Sequence, residues 1–489
     1  MTKQDVFHIQ PLNWESDPEE ERFPLRTLDY VSPPTYNNYA LFFRLNDEDK
    51  PTAVTALREG LARLFTQARH LVGNIEPAPE EDPFTYHFVR RKGDTVPFHV
   101  QWLEEDPEAP SMDEIAQKHF TSLSLGSDLK KWSVPSMTYG EKPEAYPDAK
   151  PRTSSFKVNF VRGGMVLHTH HHHYANDVMG WAGYVRQLAE NCVAILRPDS
   201  PPPALNWDVA QCLVSHRLTG KKTPFSQKLD GPPNPDRHPQ HTKGISLLFH
   251  LPKSKAAALK NLASPAEGWI STYDAFSAFF FRTVTRLRAP YFPDLYPSPS
   301  SPVFWAEGVD IRRRLPSQLH ERSQGNGMTA VMSSMAPGVT QPTLAEIVSE
   351  WPLPRLAQYV RQMTSLFSEG YLQAVLDQIE SIKDKTSLAL RTDSFPPASV
   401  AMTDHREAKM GGVDFGFGKA ICYRHLLDRV TNGVVVVYPP NDYGKEKGDE
   451  EGVELEVFYE ERFMRELVED EEFGRYFEFR GVDAVDVTE

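Results

Sequence analysis

Apolar residues at Leu57, Leu61, Leu64, Phe65 and Ala68 recur three and four positions apart, which predicts an amphipathic helix over 56–75, with Gly73 and Asn74 as its stop. The pattern changes between 156 and 173. FKVNFV and MVLHTHHH read as two extended segments joined by Gly163 and Gly164, so a hairpin of strands is predicted there. From 178 the run VMGWAGYVRQLAENCVAIL returns to helical spacing, which leaves 173–177 as a short bend between a strand and a helix. Such scaffolded bends are favoured positions for catalytic groups. Residues 197–243 turn to Pro, Asp, Asn, Gly and charge and read as a linker. After it come a strand, ISLLFHL, a helix, KSKAAALKNLA, and a longer helix from Thr272 to about 287 with Ser271 or Thr272 as N-cap. Residues 445–456 read as a charge-rich solvated loop leading into a strand and a terminal helix. The reading is α/β: a first domain over 1–200, a Pro-rich crossover linker over 201–243, and a second α/β domain over 244–489.

Composition narrows the partners. The 489 residues carry a formal charge of −14, which argues against a nucleic-acid or anionic-membrane footprint, since both reward clustered Lys and Arg. Only Cys192, Cys212 and Cys422 occur, with no short spacing, so neither a disulfide framework nor a thiolate zinc site is indicated and a reducing compartment fits. The opening residues are acidic and carry no apolar run, so a signal peptide is not expected and the cytoplasm is the expected location.

The densest chemistry lies at 168–181, HTHHHHYANDVMGW, where Asp177 follows His173 by four residues and Gly180 lies just beyond. A histidine base oriented near a carboxylate is what an acyl-transfer site needs. Among 17 histidines about one His-x-x-x-Asp match would arise by chance, so the placement of this one at a strand end is what gives it weight. His168, His170 and His172 alternate along the strand and offer a competing zinc reading, whose bland counterpart is buried imidazoles bonded to backbone. Downstream, GGVDFGFGK at 411–419 packs four glycines around Asp414, Phe415 and Phe417. Its DFG has no kinase companions, and no phosphate-loop pattern is present.

Together, HYAND with Gly180 and DFGFG at 414–418 resemble the BAHD acyltransferases, whose marks are His-x-x-x-Asp in the first half and DFGWG near the end. Further blocks match in order: ALREGLARLFTQARHLVGNI, WISTYDAFSAFFFRTVTRLR, VDIRRRL with QGN at 324–326, and GVELEVFYEERFMRELVEDEEF. The fungal branch that includes trichothecene 3-O-acetyltransferase and alkaloid O-acetyltransferases is the one it looks most like.

The resemblance implies two similar chloramphenicol-acetyltransferase-like domains with a channel between them, entered by acyl-CoA from one side and by an acceptor from the other. It implies His173 as general base, with direct transfer and no acyl-enzyme, and Asp177 as an orienting group paired with Arg312 or Arg314. Asp414, Gly416 and Gly418 would shape the second domain, and Ser271 or Thr272 would approach the CoA tail, although helix capping explains those two equally. Phe417 departs from the family tryptophan and removes an indole N–H. The expected reaction is acetylation of a hydroxyl on a terpenoid, alkaloid or polyketide-type secondary metabolite by a monomer, with acetyl-CoA or another acyl-CoA as co-substrate and no metal or permanently bound cofactor. Two alternatives stand beside it: a condensation-domain-like enzyme using a carrier-bound thioester, whose HHxxxDG signature His172, His173 and Asp177 satisfy in most positions while Val178 stands where it has glycine, and a non-catalytic metabolite-binding protein on the same scaffold.

Overall fold

The computed structural model describes residues 3–78, 82–140, 142–197, 199–315, 319–320, 322–427, 429–441 and 450–486. Of the charge-rich loop, 445–449 lie outside the described residues, and the strand that follows runs Gly452–Glu460.

Two sheets organise the chain. The first has six strands in the order Gln4–Ile9, Val96–Trp102, Ser154–Val161, Gly164–His172, Tyr36–Arg44 and Ala420–His425. The predicted hairpin is its centre: Ser154–Val161 pairs antiparallel with Gly164–His172 across a turn in which Gly163 takes φ +76°. Both strands are buried along their whole length, which is why they read as apolar runs rather than as clean alternation. On one face Leu41, Phe43, Phe156, Val158 and Leu167 pack beneath the helices Lys50–Gln67 and Val178–Leu196. These helices meet closely: a Cβ at Gly60 would stand 2.8 Å from Cys192 Sγ. The other face carries Phe42, Val161 and Val166 against Met112 and Trp132.

The first helix differs from its predicted span. It runs Lys50–Gln67, opening with Pro51 in its first turn, and gives way to a tight turn at Arg69–Leu71 and a strand at Asn74–Pro77. Its first turn carries little apolar signal to read, and Ala68 leaves the helical region at φ −142°, so the periodicity continues past the end of the helix.

The second sheet has seven strands in the order Met328–Met332, Trp305–Asp310, Val400–Asp404, Val434–Tyr438, Gly452–Glu460, Gly244–Pro252 and Glu478–Val485. Helices Lys253–Ala263, Thr272–Arg288 and Leu353–Thr364 cover one face and bury Phe276, Phe280, Leu356 and Val360 against Leu247, Trp305 and Val437. The predicted strand at ISLLFHL and the two helices after it are all present.

The halves interlock. Ala420–His425, late in the chain, pairs antiparallel with Tyr36–Arg44 of the first sheet, and Asp483 accepts hydrogen bonds from the Ser122 N–H and hydroxyl, each at 2.9 Å. Among the described residues no helix is long and apolar enough to cross a membrane.

Candidate active site

His172 ends a central strand of the first sheet, and Val178 starts the helix that covers it, so 173–177 must reverse direction within five residues. The bend is held from both sides. The His173 N–H donates to Thr35 O at 2.8 Å, and the Ala175 N–H donates to His172 O at 2.9 Å. Asp177 caps the helix by accepting the Gly180 N–H at 2.8 Å. From the second half, Gly325 N–H donates to Asn176 Oδ1 at 2.7 Å, and Asn326 Nδ2 lies 3.2 Å from His173 O and 2.8 Å from Tyr174 O. Gly180 is forced by this docking, because a Cβ there would stand 2.5 Å from both Asn176 Oδ1 and Gly325 O.

The Asp177 carboxylate is taken up by donors other than His173. Its Oδ1 accepts from Gly180 N and Arg312 Nη2, and its Oδ2 from Gly327 N and Arg312 Nη1, all at 2.8–2.9 Å. Four donors occupy the two oxygens, and the Arg312 contact is a two-pronged one between the halves. Burial alone would raise the Asp177 pKa, but the Arg312 guanidinium and the two main-chain N–H groups outweigh it and hold the carboxyl below its ordinary range. Arg312 also reaches Asp310 Oδ1 at 3.1 Å and Gly325 O at 2.7 Å.

Of the arginines at 312–314, then, Arg312 is the partner of Asp177. Arg314 instead donates to Phe367 O and Thr364 O at 2.7 and 2.8 Å, tying down the end of the Leu353–Thr364 helix, and Arg313 pairs on the surface with Glu407.

His173 borders a cavity of about 160 Å³ between the two sheets, whose walls include Asn37, Tyr39, Ala401, Met402, His405 and His425. A site for a whole drug-sized ligand is typically about 300 Å³ or more, so this space suits the reacting ends of two molecules rather than either one entire. Burial lowers the His173 pKa below its ordinary value, and its own main-chain carbonyl and the Asp177 charge only partly restore it. The imidazole is therefore neutral at pH 7 and able to take a proton.

The alternating histidines are otherwise engaged. His170 bonds Met137 O at 2.9 Å and receives the Val134 N–H; His172 bonds Ala145 O at 2.8 Å and receives the Tyr174 N–H; His168 lies 3.3 Å from Asn38 Oδ1. Among the described residues no three His, Cys, Asp or Glu side chains converge as a metal site would require.

One further expectation changes. The 411–419 loop is expected to shape the second domain, but it lies against the first: Phe415 and Phe417 rest on Phe43, with ring centroids 5.2 and 5.8 Å away. A Cβ at Gly416, which takes φ +86°, would meet Val193 Cα at 3.2 Å. Asp414 accepts the Gly416 N–H at 2.7 Å and pairs with Arg197 at 3.0 Å, while the Phe415 N–H closes the turn on Gly418 O at 2.9 Å. The strand that follows belongs to the first sheet, and that is what carries the loop there. Phe417 packs as an apolar ring, so this turn stands without an indole N–H. The Ser271 hydroxyl accepts the Asp274 N–H while Asp274 accepts the Ser271 N–H, a reciprocal cap in line with the capping reading of Ser271.

Comparison with known proteins agrees with this arrangement. The model of a Transferase family matches residues 124–474, and a trichothecene 3-O-acetyltransferase-like N-terminal domain matches residues 35–192. The chain belongs to the BAHD transferase family. It is an acyl-CoA-dependent acyltransferase of that family. Acetyltransferase FGR3 of Gibberella zeae is 52% identical over 489 residues, covering 99% of this chain and 95% of that protein. Trichothecene 3-O-acetyltransferase TRI101 of Fusarium sporotrichioides is 25% identical over 402 residues, covering 78% and 81%. The crystal structure of F. graminearum TRI101 with ethyl coenzyme A has the same fold, with a TM-score of 0.72 and 18% identity over 94% of this chain and 100% of that one.

Several residues of this BAHD site escape sequence reading. Asn326 sits in the QGN block but shows its use only when the halves meet. Asp29, which receives an Asn326 N–H at 3.0 Å and whose pKa burial raises to about 7, lies in a segment with no motif. His405, just past the strand Val400–Asp404, and His425, at the end of the strand Ala420–His425, come more than 200 positions after His173, and nothing in their local sequence marks them.

Proposed function

We propose that the protein transfers an acetyl group from acetyl-CoA to a hydroxyl of a secondary metabolite of terpenoid, alkaloid or polyketide type, with His173 as general base. The observation that carries this reading is the placement of a neutral imidazole at a cavity between the sheets, on a bend fixed by Asp177 and Arg312. The relatives support the donor and the acceptor type: F. graminearum TRI101 has been crystallised with ethyl coenzyme A, with coenzyme A and T-2 mycotoxin, and with coenzyme A and deoxynivalenol.

In this mechanism His173 removes the proton of the acceptor hydroxyl as its oxygen attacks the thioester carbonyl carbon. The C–S bond then breaks, and the imidazolium returns the proton to the CoA thiolate, giving an ester and free CoA. Asp177 takes no part in the proton transfer, since four donors already saturate its oxygens. It fixes the bend, and Asn326 and Thr35 fix the main chain of His173 itself. Free thiols at Cys192, Cys212 and Cys422 accord with action in the cytoplasm, and a monomer suffices because both halves of the site come from one chain. Acceptor-dependent release of thiol from acetyl-CoA tests the reading; release that ignores the acceptor, or transfer to amines alone, contradicts it.

A further inference from the structure

We infer that His405 and His425 recognise the acceptor, and that the acceptor carries, beside the hydroxyl that is acylated, a second oxygen function that hydrogen-bonds to their rings. The inference rests on the transferase reading with His173 as base, and it names the chemistry of the molecule which that reading leaves general.

Both residues wall the cavity that His173 borders, and both are more than nine-tenths buried, at 5% and 7% exposure. Their main chains are satisfied: the His405 N–H donates to Val437 O at 2.9 Å, and the His425 N–H to the Tyr438 hydroxyl at 3.2 Å. Their rings are not. His405 Nδ1 and His425 Nε2 are buried with no hydrogen-bond partner. In the strand Gly164–His172, His170, His171 and His172 each bond a main-chain carbonyl, while His168 Nε2 is without a partner too. What sets His405 and His425 apart from His168 is that both wall the cavity, where a bound molecule can reach them. A buried polar atom without a partner costs free energy, and keeping two of them beside one cavity is explained by a ligand that supplies the partners.

The rings are also held in place. Tyr39 packs on His425 at 4.7 Å and edge-on to His405 at 6.2 Å, and Tyr139 meets His425 edge-on at 4.9 Å. Burial keeps both imidazoles neutral, His405 being pushed down to about 4, so each ring offers one donor and one acceptor. That suits a hydroxyl or a carbonyl better than an ionic group. Around them Ala401, Met402, Leu427 and Val436 give aliphatic wall and Asn37 and Glu307 add polar groups, which fits a carbon skeleton bearing at least two oxygens.

The test uses acetyl-CoA with cyclohexanol and with the 1,2-, 1,3- and 1,4-cyclohexanediols, comparing wild type, His173→Ala, His405→Phe, His425→Phe and His405→Gln, with melting temperature as the check on folding. The expected result is a preference for one diol over cyclohexanol of roughly tenfold in kcat/KM, the scale of a hydrogen bond to a buried group. The preference collapses in each Phe variant through the KM of the diol and returns in part with Gln. Release that depends on His173 but shows no diol preference, or a preference that survives in both Phe variants, overturns this inference alone. Release independent of His173 with every alcohol overturns the transferase reading beneath it.

Discussion

At the scale of the residue, the environment of His173 decides its chemistry. A free imidazole titrates near 6.5, but burial at the cavity lowers the value and the Asp177 charge restores only part of it. A base must be unprotonated to act, so activity is present above the folded-state pKa and lost as pH falls through it. The acidic limb of kcat/KM should therefore lie below pH 6.5, with activity flat from there up to pH 8. A limb centred above 6.5 would show that another group sets it. The same burial acts on the neighbouring histidines, and only position in the bend distinguishes His173 from them. The His-x-x-x-Asp spacing exposed that position because strand end, bend and helix cap are consecutive in sequence. His405 and His425 reach the same cavity from segments distant in the chain, and no local pattern could point to them.

At the scale of the element, the bend is a junction where a strand, a helix and the QGN segment share atoms. Gly180 is where they come closest, so Gly180→Ala should displace the segment at Gly325, loosen the Asn326 contact and lower kcat while the first sheet stays folded. Unchanged kcat and melting temperature in that variant would mean that the contact does not position His173. Much at this scale was readable beforehand. The hairpin, the helix after Asp177, and the strand and helices beyond 244 all announce themselves by periodicity, and Ser271 by its cap. The first helix was misplaced because its opening turn has few apolar residues while the periodicity runs past its end at Ala68. The family resemblance implies a place in the second half for the 411–419 loop, whereas strand pairing with Tyr36–Arg44 brings it to the first.

At the scale of the whole molecule, Asp177 and Arg312 join the halves at the point where the chemistry is proposed to occur. Both side chains are largely shielded from water, so removing one deprives the other of its main charged partner, with Asp310 left to Arg312 and two main-chain N–H groups left to Asp177, at a cost of up to about 3–5 kcal/mol. Asp177→Asn and Arg312→Met should each lower the unfolding free energy by about that much, and the double variant should lose clearly less than the sum. Additive losses in the double-mutant cycle would mean the pair does not couple the halves. Asp177 also fixes the direction of the pH effect. Its folded pKa is depressed, so its stabilisation is present above the unfolded value near 3.9 and is lost as pH falls through the folded one.

The central claim is that a single imidazole, His173, moves the proton during transfer of the acyl group. Free thiol released from acetyl-CoA, measured with and without a hydroxylated acceptor in wild type and in His173→Ala, tests it most directly. The account predicts release that requires the acceptor and falls by roughly 10²–10⁴-fold in the variant, the range for loss of a general base, with the melting temperature unchanged. Acceptor-dependent release that persists at near wild-type rate in a folded His173→Ala protein would contradict it.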